Sequence, residues 1–206
     1  MAISGLVAAG LVGMAVWQAS APGDDVATPT ATSSAGDGLS TGSGPVEVEI
    51  YLDFLCPACR VFDEAARPML DAYLAEDEIT LTYHTIAILN RASTTEYSTR
   101  AAGAAGCAAD GGEIDAFVGA MMQRQPAEGG PGLSDDEIVE IGVDVGLTGS
   151  DFAECVRDGV YHDWADGATD AAADRGVAGT PTVYVGGTQV TELSLQSLAE
   201  AIEAGG

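Results

Sequence analysis

Val46-Glu47-Val48-Glu49-Ile50-Tyr51-Leu52-Asp53-Phe54-Leu55-Cys56-Pro57-Ala58-Cys59-Arg60 decides how the chain is read. Its first nine residues alternate, placing Val46, Val48, Ile50, Leu52 and Phe54 on one face of a strand. The strand runs directly into Cys56-Pro57-Ala58-Cys59. Beyond it Phe62, Ala65, Ala66, Met69, Leu70 and Tyr73 recur at three- and four-residue steps, the spacing of a helix that begins at Cys56. Pro57 suits the first helical position, where a missing N–H costs nothing, and Pro68 is expected to kink the helix further on. A thiol at a helix N-terminus meets unpaired backbone N–H groups and the positive end of the dipole, and both favour the nucleophilic thiolate. Cys56 is therefore expected as the exposed attacking thiol. Cys59, one turn inward and shielded, is expected to resolve the mixed disulfide. Half a zinc ribbon is the competing reading, but it needs a second Cys-x-x-Cys, and Cys107 and Cys155 stand alone.

Working outward, a second strand is expected at about residues 79–86. The stretch from Ala92 to Arg175 reads as mainly helical, with capping boxes at Ser93-x-x-Glu96 and Ser134-x-x-Glu137 and stops at Gly111-Gly112 and Gly129-Gly130-Pro131-Gly132. Ile114, Phe117, Val118, Met121 and Met122 form an apolar stripe that reads as core. Gly179-Thr180-Pro181-Thr182-Val183-Tyr184-Val185 returns to strand, Gly186-Gly187 makes a hairpin turn, and Leu195, Leu198, Ala199 and Ile202 mark a last helix. A proline opening a strand after Gly-Thr points to a cis peptide that presents Thr180 backbone groups to an extended substrate.

Composition narrows the function classes. The 206 residues carry 7 Lys+Arg against 32 Asp+Glu, a net charge of −25, and every cation is an arginine. Such a surface has no means of replacing phosphate counterions, so nucleic-acid binding is excluded. With 47% hydrophobic and 6% aromatic residues, the chain can build a core, expected to be largely Ala, Val, Leu and Ile. Residues 1–19 are uncharged and would span roughly 28 Å as a helix, about one hydrocarbon core. Residues 1–21 thus read as a retained single-pass membrane anchor, with a cleavable signal segment as the rival. Residues 22–45, rich in Gly, Ser, Thr, Pro and Ala, read as a flexible linker holding the domain about 25 to 30 Å from the membrane. His84 and His162 are isolated, and Tyr161 and Trp164 read as anchors of a helix on the core. No phosphate loop, serine elbow or metal-ligand spacing is present in the sequence, so no cofactor or metal is implied.

The strand, CPAC, helix and Gly-Thr-Pro-Thr in this order resemble the thioredoxin superfamily, whose cis-proline loop faces the active-site cysteines. Far more chain separates Cys59 from Pro181 than a minimal thioredoxin needs, and the excess is helical. Over residues 46–206 the chain therefore resembles the DsbA-like branch: an α/β thioredoxin-like fold with an inserted helical domain at about 91–170. The tethered N-terminus together with CPAC, RASTTEYS and GTPT is similar to actinobacterial membrane-anchored members.

That resemblance implies a thiol:disulfide oxidoreductase with Cys56 and Cys59 catalytic and Thr180 and Pro181 contacting substrate. It also implies exported cysteine-containing proteins as substrates and a membrane quinone-linked thiol oxidase as partner, with the catalytic domain outside the cytoplasm. The motif departs from the family in two places. Ala58 stands where the best-known DsbA form has His, which should leave Cys56 less acidic, and Ile50 occupies a position where an acidic proton-shuttling residue is often found. Asp53 is nearer the cysteines, with no role assigned. An even count of four cysteines in an envelope protein points to a structural disulfide between Cys107 and Cys155, worth roughly 4 kcal/mol from chain entropy. Two buried free thiols, or a second pair accepting electrons from Cys56 and Cys59, are the alternatives. A non-catalytic thioredoxin-like binding or scaffold module, and a dedicated reductase or isomerase, are the other functional readings.

Overall fold

The computed structural model describes residues 26–205. Its elements are β1 (Leu39–Gly42), β2 (Val46–Leu52), α1 (Pro57–Ala75), β3 (Ile79–Thr85), α2 (Tyr97–Asp110), α3 (Ile114–Gln123), α4 (Asp135–Asp144), α5 (Ser150–Asp158), α6 (His162–Asp174), β4 (Thr182–Val185), β5 (Thr188–Gln189) and α7 (Leu195–Gly205), with one 3₁₀ turn at Asn90–Ala92. The five strands form one sheet in the order β1-β3-β2-β4-β5. β2 runs parallel to β3 and antiparallel to β4, so α1 is the crossover of a βαβ unit and β2 lies at the centre. All five helices α2 to α6 fall between β3 and β4, which is the thioredoxin-like arrangement with a helical insertion that the sequence led one to expect.

The alternation of β2 buries Val48, Ile50 and Leu52 as expected, yet Glu49 and Tyr51 on the opposite face are buried too. A central strand is covered on both sides, and this one carries a charge on its second face. α1 opens on Pro57 and continues through Pro68 to Ala75. The core is mainly aliphatic, with Tyr51, Tyr83, Tyr97, Phe54 and Phe117 among the largest fully buried side chains. α2 is an alanine helix buried along nearly its whole length. It can be so because α6 approaches it closely: a Cβ on Gly106 would stand 2.9 Å from the Tyr161 ring. Gly186 and Gly187, both at positive φ (54° and 76°), make the two-residue turn between β4 and β5.

Two expectations change, and one falls on residues that are not described. Residues 1–25, which include the expected anchor or signal segment at 1–21, lie outside the described residues. Residues 26–45, expected as the end of a flexible linker, are tied to the domain instead. Leu39–Gly42 pairs antiparallel with β3, and Leu39 is fully buried. Thr30 donates from its backbone N–H (2.7 Å) and its hydroxyl (2.8 Å) to Asp110, and Trp164 Nε1 donates to the Gly36 carbonyl at 2.7 Å. Glycine here serves close approach, since a Cβ on Gly44 would stand 2.1 Å from the Ile79 nitrogen. Of the two capping boxes, Ser134–Glu137 forms. Ser93–Glu96 does not: Glu96 takes the N-cap position in the left-handed region (φ 53°), and the Ser93 hydroxyl accepts from Tyr97 N–H at 2.8 Å.

Candidate active site

Cys56 sits at the N-cap of α1, between the end of β2 and Pro57. Its N–H donates to the Asp53 carbonyl at 2.9 Å, and its own carbonyl accepts from Cys59 N–H at 3.0 Å and Arg60 N–H at 3.3 Å. The first turn of the helix is thus closed on the cysteine itself. Both Cys56 and Cys59 are free thiols. Cys56 is less open than the sequence implied, 7% exposed against 1% for Cys59, because the loop before β4 covers it. In that loop the Thr180-Pro181 bond is cis, and Cys56 Sγ lies 3.3 Å from the Thr180 carbonyl, to which the thiol form donates.

The two sulfurs divide one proton unequally. Hydrogen bonding from the Cys59 thiol, opposed by burial and helped by the Thr180 side chain and the Cys59 and Ala58 amides, brings Cys56 down to about 5 from an ordinary value of 9.0. The same hydrogen bond, together with burial, pushes Cys59 far up. Cys56 is then thiolate and Cys59 is thiol at neutral pH. The leading stabilising groups are neutral: the Cys59 thiol, Thr180 and two amides.

Asp53 lies fully buried behind the pair. One carboxylate oxygen accepts from Leu55 N–H and Ser98 Oγ, each at 2.8 Å, and the other from Leu89 N–H at 2.9 Å. Burial outweighs these three neutral donors and raises Asp53 to about 6. Ile50, where the family often has an acid, is core. The sequence showed Asp53 as a neighbour of the cysteines, but its Ser98 and Leu89 partners come from other elements and leave no local signal. Gln125, just past α3, was also missed. Its Nε2 donates to the carbonyls of Phe54 (3.0 Å) and Cys56 (2.9 Å).

Beside the pair an apolar groove of about 330 Å³ is lined by Ala58, Val61, Phe62, Pro181, Leu193 and Leu195. Val61, Leu193 and Leu195 are exposed there. Pro181 lines the groove and the Thr180 carbonyl meets Cys56 Sγ, so the fold brings Thr180 and Pro181 to the cysteine pair. Cys107 on α2 and Cys155 on α5 are elsewhere and joined to each other as a disulfide, with Cα atoms 6.0 Å apart.

Among the described residues no group of three His, Cys, Asp or Glu side chains is placed to hold a metal ion. His84 is buried on β3, stacked on Tyr51 at 4.1 Å, with Nε2 3.3 Å from Glu49. Arg175 pairs with Glu49 and donates to Tyr51 at 2.7 Å. Burial would raise Glu49, but the Arg175 guanidinium and the His84 ring beside it prevail and hold it at about 2. This cluster belongs to the second face of the sheet.

A reduced Cys-x-x-Cys at the start of the helix after β2, with its first sulfur against a cis-proline loop, defines the class of thiol–disulfide oxidoreductases built on the thioredoxin fold. The family profile described as Thioredoxin matches residues 40–204, and the chain belongs to that family. It is similar to the oxidised crystal structure of DsbA from Mycobacterium tuberculosis, with 30% identity and a TM-score of 0.74 over 82% of this chain and 92% of that one. The reduced disulfide oxidoreductase DsbG of the same organism gives 30% identity and 0.73 over 82% and 88%. A curated relative, the serine/threonine-protein kinase PknE of M. tuberculosis, is 27% identical over 181 residues, and the match spans 31% of that protein's length. Among the described residues no helix is long and apolar enough to cross a membrane.

Proposed function

We propose that this protein donates the Cys56–Cys59 disulfide to cysteine-containing exported proteins, from an extracytoplasmic position set by residues 1–21. The observation that carries the reading is the placement of Cys56 at the start of α1 with its sulfur against the Thr180-Pro181 loop, where the Cys59 thiol and the first-turn amides favour its thiolate. An oxidant is strong when its reduced form is stabilised, and the first cysteine then leaves readily.

In the forward reaction a substrate thiolate attacks Cys56 Sγ of the disulfide. An S–S bond forms between substrate and Cys56, the Cys56–Cys59 bond breaks, and Cys59 departs with the electron pair and takes up a proton. A second substrate thiolate then attacks the substrate sulfur of the mixed disulfide and expels Cys56 as thiolate. Two electrons have passed from two substrate thiols to the cysteine pair. Thr180 and Pro181 face the attacked sulfur, and the groove along Val61, Phe62, Leu193 and Leu195 offers apolar surface to an extended chain. Re-oxidation falls to a membrane quinone-linked thiol oxidase, as the family resemblance implies. The stabilised thiolate favours this direction over a dedicated reductase.

Cys59→Ser tests the assignment: it cannot hold the disulfide, but its Cys56 thiolate can still attack a substrate disulfide, the reverse of the second step above, and without Cys59 the mixed disulfide so formed is not resolved from within. Expressed in an exporting cell, it should accumulate disulfide-linked complexes with exported proteins that reductant releases. Recovery of free monomer alone would refute a catalytic role for the pair. A reporter fused after Gly206 should be active only outside the cytoplasm, and a cytoplasmic signal would refute the location.

A further inference from the structure

We infer that Gln125 is a positioning residue for the redox reaction, one that sets the acidity of Cys56 from the helical insertion. Its side chain leaves the C-terminal end of α3 and crosses to the loop between β2 and α1. Pro126 follows it, and the residue before a proline is steered away from the helical region, so the chain turns out of α3 at this point. The two partners are both carbonyl oxygens, Phe54 at 3.0 Å and Cys56 at 2.9 Å, which only the amide NH₂ can satisfy together.

The Cys56 carbonyl already accepts from Cys59 and Arg60, the first intrahelical bonds of α1. The Cys56 carbonyl belongs to the Cys56–Pro57 peptide, which has no N–H, so the added donor acts by its charge and not through the amides of the turn. The positive end of the Gln125 amide lies over the negative ends of two carbonyls next to the sulfur. That favours thiolate over thiol, and it acts through Cys56, not on substrate.

The inference rests on Cys56 and Cys59 being the redox pair, and the experiment separates the two. The full chain and its Gln125→Ala, Gln125→Glu and Gln125→Lys variants are reduced, and thiolate absorbance is followed against pH alongside the equilibrium with glutathione. Alanine, which removes the donor, should raise the Cys56 midpoint by about half to one unit and shift the glutathione equilibrium roughly three- to tenfold toward the disulfide form of the protein. Glutamate, which puts negative oxygen against the loop, should move both further in that direction. Lysine keeps a donor and adds charge, so it should match the wild type or move the other way.

A purely structural Gln125 would lower the melting temperature of the variants without ordering them by charge. If the wild type exchanges with glutathione while the variants keep its midpoint, or glutamate and lysine shift it alike, the inference fails and the redox pair stands. If the wild type shows neither thiolate nor exchange, the redox pair fails and this inference with it.

Discussion

Replacing Cys59 with alanine should make Cys56 markedly less acidic. At about 5, Cys56 is thiolate in roughly ninety-nine molecules of a hundred at pH 7. The largest favourable contribution is the hydrogen bond from the Cys59 thiol; the Thr180 side chain and the Ala58 and Cys59 amides supply the rest. Alanine removes the first and keeps the amides, so the midpoint should climb by about one to two units. Serine retains a donor and should fall between alanine and the wild type. Alkylation rate against pH at fixed iodoacetamide reads the midpoint directly, since only the thiolate reacts. The reduced wild type carries a stability signature of the same cause. Its folded value lies below the ordinary 9.0, so the contribution is complete above pH 9 and is lost as pH falls toward 5. The oxidised protein lacks it, and the unfolding midpoint of the reduced form should therefore gain on the oxidised form as pH rises from 5 to 9. An alanine variant whose midpoint stays near 5 would show that the helix terminus alone holds the thiolate and that the thiol–thiolate bond is not its main support.

Asp53 is raised from 3.8 to about 6, so it binds its proton more tightly folded than unfolded and wild-type stability should fall by roughly 3 kcal/mol as pH rises from 4 through 6. Asp53→Asn should flatten that slope in urea unfolding at several pH values, and an unchanged slope would show that Asp53 does not titrate there. Removing both Cys107 and Cys155 as alanines should cost roughly 4 kcal/mol in urea, with the Cys56–Cys59 equilibrium unmoved. Ala58→His, which brings an imidazole beside Cys56, should favour the reduced form and shift the glutathione equilibrium toward a stronger oxidant, and a shift the other way would show that the dipeptide does not govern the potential.

What the sequence disclosed and what it hid follow from the range of the interactions involved. The β2 alternation, Pro57 at the helix start and the Gly-Gly turn are local, so a few adjacent residues suffice to specify them. Cys56, Cys59 and Pro181 were legible because proline and cysteine have few other uses in such places. The segment before β2 misled because Gly, Ser and Thr serve equally for freedom and for close approach. At Gly44 only the distance to Ile79 tells which applies, and that distance belongs to the folded chain. Ser93-x-x-Glu96 misled for a related reason, since its hydroxyl found the Tyr97 amide once Glu96 took the left-handed conformation. Glu49 and Arg175 are far apart in sequence, and nothing near either announces the pair.

The least legible residues, Ser98 and Gln125, share an origin that gives the insertion a function. Both come from the helical segment between β3 and β4, and both end on the short stretch from Asp53 to Cys56. Ser98 reaches it through the buried carboxyl of Asp53, which also gathers Leu55 and Leu89. Gln125 reaches it through backbone carbonyls. With the insertion in place to bury this loop, loss of either donor would leave the Asp53 carboxylate or the Phe54 carbonyl short of a partner away from water, at a cost of about 1 to 3 kcal/mol each. The insertion satisfies them with neutral donors. The thiolate itself is held by the Cys59 thiol, Thr180 and the first-turn amides, at contact distances where the negative field of a chain with net charge −25 and no lysine has least power to oppose them.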